Sequence, residues 1–315
     1  MKCLYCERTQ FALLCRVTDH LGHVPGEFEF FRCSGCGSWQ LDPLPGPEDI
    51  AGSYPTAYSF KPPARGIRAA VARIERALYY RPILRYNVQA VRRFCDSDGE
   101  KLLDIGCGSG MQMAAFRDAG YKVAGLDMSE EDVRFAAEEL GLDARQGFVG
   151  EGLPFPRENF AIVTMFNLLE HVLDPVGVLR WAADLLRPGG YMAVEVPNTL
   201  SYQWALLRSL WAVVREAPRH IGIPSPNGVA AAFGRAGLAF VGSVGSAPSV
   251  QAGALAVSLV PVATHALAGS GRLKSLGSRA LGGLCYSAAL PAACLLRRPA
   301  WSATVIYFAR KPTGR

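Results

Sequence analysis

The chain has 315 residues, half of them hydrophobic and 19% charged, which suits one large domain with an appendage, or two domains, around a sizeable core. Nine cysteines in so long a chain exclude a reading as a disulfide framework, and Met1–Cys6 lacks the apolar region of a secretory leader. The expected compartment is the reducing cytosol, where paired cysteines bind metal.

The formal charge of +6 is unevenly spread. Residues 217–315 carry ten Lys or Arg and no Asp or Glu. The preceding 216 residues hold all 27 acids against 23 basic residues, a net of −4. That asymmetry predicts that the last third faces something anionic: lipid, a phosphorylated substrate or nucleic acid.

In chain order, Cys3-x-x-Cys6 is answered by Cys33-x-x-Cys36. Each pair can grip one side of a tetrahedral zinc ion, and the insert between them suits a zinc ribbon over residues 1–45. Glu27–Arg32 alternates like one of its strands. Four thiolates close the coordination sphere, so this zinc is expected to be structural. Cys15, His20 and His23 are spare ligands within the insert.

Residues 46–98 read as a linker and basic helices. The linker begins in the proline-rich run Leu41–Pro47, followed by Tyr54-Pro55-Thr56-Ala57-Tyr58. Over 65–93, Ile67, Val71, Ile74 and Leu78 recur at helical spacing among eight arginines, and Pro82 is expected to divide two helices. This stretch reads either as a solvated helix packed on a sheet or as a surface for anionic membrane or phosphate.

At Lys101 a buried strand begins and turns through Asp104-x-Gly106-x-Gly108-x-Gly110 into a helix-like run, Met111–Asp118. Alternating glycines let backbone approach a ligand closely. Asp127 ends a second apolar run and is placed to accept hydrogen bonds from ribose hydroxyls. Ser129 is an N-cap for a helix to Leu140, with three acids in its first turn. A third strand is expected near Asp143–Phe148. Then come Leu153-Pro154-Phe155-Pro156 before the strand Phe160–Val163, the segment Asn167–Pro175, and the turn Arg187-Pro188-Gly189-Gly190 into the strand Tyr191–Val196.

Taken together, these motifs over residues 99–315 resemble the class I S-adenosylmethionine-dependent methyltransferases. The N-terminal cysteine pairs, the Pro-x-Pro stretch and the Tyr-Pro-x-x-Tyr run look like a bacterial methyltransferase group that often accompanies glycan and polysaccharide synthesis. The resemblance implies an α/β fold, a Rossmann-like sheet of seven mostly parallel strands, preceded by the zinc ribbon. It implies that Gly106, Gly108 and Gly110 pass close to the cofactor, that Asp104 orders that loop, that Asp127 holds the ribose and Met128 packs on the adenine. Asn167 and Leu168, in the segment that follows strand four, are expected to bind the cofactor as well. Two positions depart from the pattern: Ala161 stands where the family commonly has Asp, and Val149 or Gly150 where an acid contacts the adenine amino group, with Glu151 nearby.

After Pro197-Asn198, residues 199–216 are bulky and helical, with Trp204 and Trp211 as either pocket cover or plain core. A helix is expected over about 227–236, a strand over 238–243, and the last strand at Thr304–Ala309. Between the last two strands lies an apolar, acid-free helical insert, 245–300, interrupted by Pro261 and Pro291. It reads in three ways: spanning helices, a hairpin lying on or dipping into a membrane face, or soluble helices that cap the domain or form a dimer.

A hydroxyl or carbon acceptor needs its proton removed, and His171 and His220 are the candidates, with Glu170 a weaker one. Each histidine also reads as a residue bonded within the fold. The leading expectation is methyl transfer to a small-molecule, glycan or lipid-linked acceptor by a cytoplasmic protein at the inner face of the membrane, touching anionic lipid through 65–93 and 245–300. An RNA methyltransferase and a non-catalytic cofactor-binding protein are the alternatives. Nucleic acid is not the first choice, because the basic residues of the last third are interleaved with apolar runs rather than stacking aromatics.

Overall fold

The structure, a computed structural model, describes residues 1–54, 76–97, 99–152, 154–266, 272–296 and 298–314. The expected helix over 65–75 and most of the Tyr54–Tyr58 run lie outside these residues.

The N-terminal module is an antiparallel sheet. Strands β1 (Phe11–Val17), β2 (Phe28–Cys33) and β3 (Trp39–Leu41) pair in sequence. A fourth strand, β9 (Gly222–Ile223), comes from far along the chain and pairs with β3. The module is therefore joined to the rest of the protein through a shared sheet. A short helix, α1 (Pro47–Gly52), follows it. A π-helical turn, Arg76–Tyr80, then leads into α2 (Arg81–Phe94), with Pro82 in the first turn of α2.

The second sheet has seven strands. In chain order these are β4 (Lys101–Ile105), β5 (Lys122–Asp127), β6 (Asp143–Gln146), β7 (Phe160–Phe166), β8 (Leu186–Pro197), β10 (Ala239–Gly245) and β11 (Thr304–Arg310). Their order across the sheet is β10-β11-β8-β7-β4-β5-β6, and only β11 runs against its neighbours. This is the expected Rossmann-like methyltransferase architecture, and the chain reverses between β4 and β7, where open α/β sheets form their binding crevices.

Helices cover both faces, which is why the central strands read as unbroken apolar runs. Leu102, Ile162, Ile306 and Phe308 pack with Val88 and Val91 of α2 and with Phe116 of α3 (Met111–Asp118). On the other face, Leu103, Ile105, Val163, Met165 and Val194 meet Leu179 and Ala182 of α5 (Pro175–Leu185) and Phe233 of α7 (Pro226–Arg235). Between them in sequence, α4 (Glu130–Glu138) is capped by Ser129, whose hydroxyl accepts from Asp132 N, and its Ala136 packs beside Cys107 and Met113.

The tryptophans at 204 and 211 take the plain-core alternative. Trp204 belongs to α6 (Tyr202–Leu207), and its ring lies 4.6 Å from that of Trp39, with Trp211 behind. With Phe30, Leu41 and Ile223 they form the core of the ribbon module, which is too small to build one alone.

The insert forms two helices, α8 (Pro248–Ala266) and α9 (Arg272–Leu295). Among the described residues no helix is long and apolar enough to cross a membrane. The hairpin packs on the domain: Gln203 donates to the Gln251 carbonyl (2.6 Å), and the Ser258 hydroxyl accepts from Ala212 N (2.8 Å).

Candidate active site

A cleft of about 900 Å³ opens at the carboxyl ends of β4, β5 and β7. Gly106 and Gly108 form its floor, Asp127, Met128 and Ser129 one wall, and Asn167, Leu168 and His171 another. Phe148, Val149 and Glu151 also line it, and Pro47, Ile50 and Tyr54, from the segment after the ribbon, complete the lining.

The glycine loop is held by Asp127. Its Oδ2 accepts from Gly108 N at 2.8 Å and its Oδ1 from Ser129 N at 2.9 Å, so one carboxylate ties two successive strand ends together. Burial pushes its pKa up, against the pull of these amides. Gly106 has φ +74°, and a Cβ there would stand 3.2 Å from Leu168. Gly110 has φ +77° and lies under α4, where a Cβ would meet Ala136 and Leu142 at 2.9 Å. Gly106 therefore keeps the cleft floor open, and Gly110 serves the packing behind it. Asp104 points elsewhere: it is buried, accepts from the Thr164 hydroxyl at 2.6 Å, and is pushed by burial up to about 7. It braces β4 against β7, and the loop itself is ordered by Asp127.

At the other wall, His171 Nδ1 lies 3.0 Å from the Tyr54 hydroxyl and 3.0 Å from the Arg219 carbonyl. One nitrogen serves both in turn, accepting from Tyr54 or donating to the carbonyl. His220 stacks edge-on to His171, ring centroids 4.7 Å apart, and its Nδ1 lies 2.7 Å from the Val213 carbonyl. Burial drives both imidazoles down, to about 3 for His171 and about 4 for His220, so both are neutral at physiological pH. The Glu170 carboxyl lies within 4.8 Å of ring nitrogens of both. It is buried, neither oxygen has a hydrogen-bond partner among the described residues, and burial raises it to about 8. His171 lines the cleft; His220 and Glu170 stand behind it.

Behind this wall sits a fully buried arginine. Arg219 donates to Asp19 of the ribbon's long loop, to Glu216 (2.8 Å) and to the Ser53 carbonyl (3.0 Å). Asp19 also accepts from Leu21 N, His23 N and Val24 N. Although burial opposes it, these donors hold Asp19 at about 2. Arg219 thus joins the ribbon loop, the residue before Tyr54 and the segment beneath His171.

The four thiols of Cys3, Cys6, Cys33 and Cys36 lie within 4.8 Å of one another. Cys3 and Cys36 are 3.7 Å apart, and Cys6 and Cys33 3.6 Å. A tetrahedral zinc with bonds of about 2.3 Å sets its sulfurs about 3.8 Å apart, so the cluster fits that ion. Cys15, His20 and His23 lie outside the cluster.

The sequence-predicted residues fall into three places. Gly106, Gly108, Asp127, Met128, Asn167, Leu168 and His171 line one cleft. Asp104, Gly110 and His220 support it from behind, and the four cysteines form a separate centre. Tyr54 and Arg219 were not singled out from sequence. The Tyr-Pro run carried a signal for Tyr54, but nothing local links Arg219 to Asp19, 200 positions away.

Known proteins resemble this chain in sequence over the region of the cleft. A family described as "Methyltransferase domain" matches residues 76–242, more than half of the chain. The ubiquinone biosynthesis O-methyltransferase of Actinobacillus pleuropneumoniae is 39% identical over 109 residues, covering 32% of this chain and 47% of that protein. That of Stutzerimonas stutzeri is 34% identical over 116 residues, covering 35% and 50%. The chain thus spans about half the length of these curated relatives. A putative sarcosine dimethylglycine methyltransferase from Galdieria sulphuraria superimposes with a TM-score of 0.49 at 15% identity, covering 79% of this chain and 89% of that one. The chain belongs to the methyltransferase domain family.

Proposed function

We propose that this chain transfers a methyl group from S-adenosylmethionine to an uncharged, hydroxyl-bearing small molecule or glycan, with Tyr54 and His171 at the reacting end of the cleft. The observation that carries this reading is that the Asp127-braced glycine loop and the Tyr54–His171 pair open into one cavity. When bound, S-adenosylmethionine supplies a methyl carbon on a positively charged sulfur. The Gly106 and Gly108 backbone, the Asp127 carboxylate and Met128 are the residues placed to hold it, and Asn167 and Leu168 face them.

The acceptor side supports an uncharged partner. Of the described residues lining the cleft none is Lys or Arg, and the acids Asp127, Glu131 and Asp132 stand on the wall assigned to the cofactor. A phosphate seated at the reacting end would find no lysine or arginine among the described lining residues to pair with it. This disfavours RNA or a sugar phosphate at the reacting end and leaves the glycan resemblance of residues 1–60 standing. As the acceptor oxygen takes the methyl group, its proton leaves to the Tyr54–His171 pair. Burial leaves the imidazole neutral but a weak base, which suffices only because a hydroxyl oxygen that is taking a methyl group becomes strongly acidic, and the Tyr54 hydroxyl lies within hydrogen-bond reach of the ring.

The four cysteines are read as the ligands of one structural zinc. With all four positions taken by sulfur, the ion holds the ribbon together and has no open site for chemistry.

The test is transfer of labelled methyl from S-adenosylmethionine into cell extract, followed by separation into lipid, glycan, small-molecule and RNA fractions. Label in the small-molecule or glycan fraction that disappears with His171→Ala supports the reading. Label in RNA alone would overturn the acceptor assignment.

A further inference from the structure

A second surface stands apart from the cleft and is unusually apolar for an exposed one. Leu200, Leu206 and Leu210 are 54%, 70% and 44% exposed within one short segment, and Trp301 is 47% exposed. Hydrogen bonds join the two stretches: Tyr202 N donates to the Trp301 carbonyl (3.1 Å) and Asn198 Nδ2 to the Pro299 carbonyl (2.9 Å). Leu295, at the end of α9, is 80% exposed and leads directly into this stretch. Exposed leucines gathered with a tryptophan mark an interaction surface rather than ordinary surface scatter.

The two stretches that build this surface carry basic residues and no acids. From Val196 to Arg215, and again from Ala217 to the last residue, the sequence contains no Asp or Glu. The Arg208 guanidinium lies over the Trp204 ring at 5.7 Å, and that of Arg298 over Trp301 at 5.9 Å. Beside Leu200, a small cleft of about 280 Å³ is lined by Arg32, Thr199, Trp204 and Arg208.

We infer that this face seats on an anionic lipid surface. Leu200, Leu206, Leu210, Leu295 and Trp301 enter the headgroup layer, and Arg208 and Arg298 meet lipid phosphates. The pattern of leucine, interfacial tryptophan and arginine without acid matches what such a surface requires. A second copy of the chain is disfavoured, because the patch would bring arginine against arginine. A nucleic acid is disfavoured because leucines, not stacking aromatics, dominate the exposed area. The inference is independent of methyl transfer.

The test is co-flotation of the full chain with vesicles of phosphatidylglycerol and phosphatidylcholine, and with phosphatidylcholine alone. The chain should float with the anionic vesicles, and less so as salt rises. Leu206→Asp with Leu210→Asp should weaken binding by about tenfold or more. Arg208→Gln and Arg298→Gln should each weaken it by about fivefold. Unchanged S-adenosylmethionine affinity in these variants serves as the check on folding. Three outcomes would overturn the inference: equal partition to neutral vesicles, flotation unaffected by the double variant, or a wild-type dimer that the double variant splits.

Discussion

The Tyr54 hydroxyl lies 3.0 Å from Nδ1 of His171, which joins the linker after the ribbon to the turn after β7 across the mouth of the cleft. The same nitrogen is 3.0 Å from the Arg219 carbonyl. Two segments separated by more than a hundred residues therefore fix one imidazole, and the first set of predictions concerns that ring.

His171→Ala should lower the rate of methyl transfer by about 10²–10⁴-fold if the ring accepts the acceptor's proton. Tyr54→Phe should lower it less, because the imidazole keeps its bond to the Arg219 carbonyl. Affinity for S-adenosylmethionine, measured by calorimetry, should stay within a few-fold of wild type in both, since neither side chain braces the glycine loop.

Asp127→Ala should do the reverse. It removes the acceptor for Gly108 N and Ser129 N together, each a charge-assisted bond. A loss of about 2–3 kcal/mol in cofactor binding is expected, or roughly a hundredfold in Kd. Asp104→Ala should leave cofactor affinity nearly intact and act on stability through its lost bond to Thr164.

Arg219 and Asp19 form a buried pair, so removing one partner strands the other. Asp19→Asn or Arg219→Met should each cost about 3–5 kcal/mol in unfolding free energy, and the double substitution should cost less than their sum. Asp19 is held at about 2, below its unfolded value near 3.8, so the pair's contribution is present above about pH 4 and is lost as pH falls toward 2. Urea denaturation at pH 7 and pH 3 measures both effects.

Glu170 gives a pH dependence of opposite sign. Burial raises its folded pKa to about 8, above the unfolded value near 4.5, so the folded state binds the extra proton and stability falls as pH rises through that window. Glu170→Gln should remove part of this fall. The melting temperature of the variant, relative to wild type, should rise between pH 5 and pH 8. A flat difference would show that the carboxyl is not neutral in the folded state.

Removing zinc should loosen the cleft as well as the ribbon. The ribbon core includes Trp204 and Trp211, and its loop anchors Arg219, which touches the backbone beside Tyr54. Chelation, or Cys33→Ser, should lower the melting temperature and reduce methyl transfer, while metal analysis of the wild type should give one zinc per chain.

Much of this was legible in sequence because the signals are local. Apolar runs marked the buried strands, Ser129 and its following acids marked a helix start, and the spacing of Gly106, Gly108 and Asp127 marked the cleft floor. The cysteine pairs were equally plain, since a knuckle needs its two ligands close in sequence. What sequence did not reveal depends on distant pairings. That β9 closes the ribbon's sheet, that Trp39 packs on Trp204, and that Asp19 reaches Arg219 are consequences of tertiary packing with no local pattern. For the same reason Asp104 read as a loop-ordering residue, when its bond goes sideways to Thr164, and residues 199–216 read as pocket cover as readily as core.

Methyl transfer by this chain requires that the cleft between Gly106, Asp127 and His171 be a cofactor site. Isothermal titration of the full chain with S-adenosylmethionine tests it most directly. Saturable binding at one site per chain is expected, weakened roughly a hundredfold by Asp127→Ala and little by Tyr54→Phe. Absence of binding to the folded wild-type chain, or equal affinity in the Asp127→Ala variant, would contradict it.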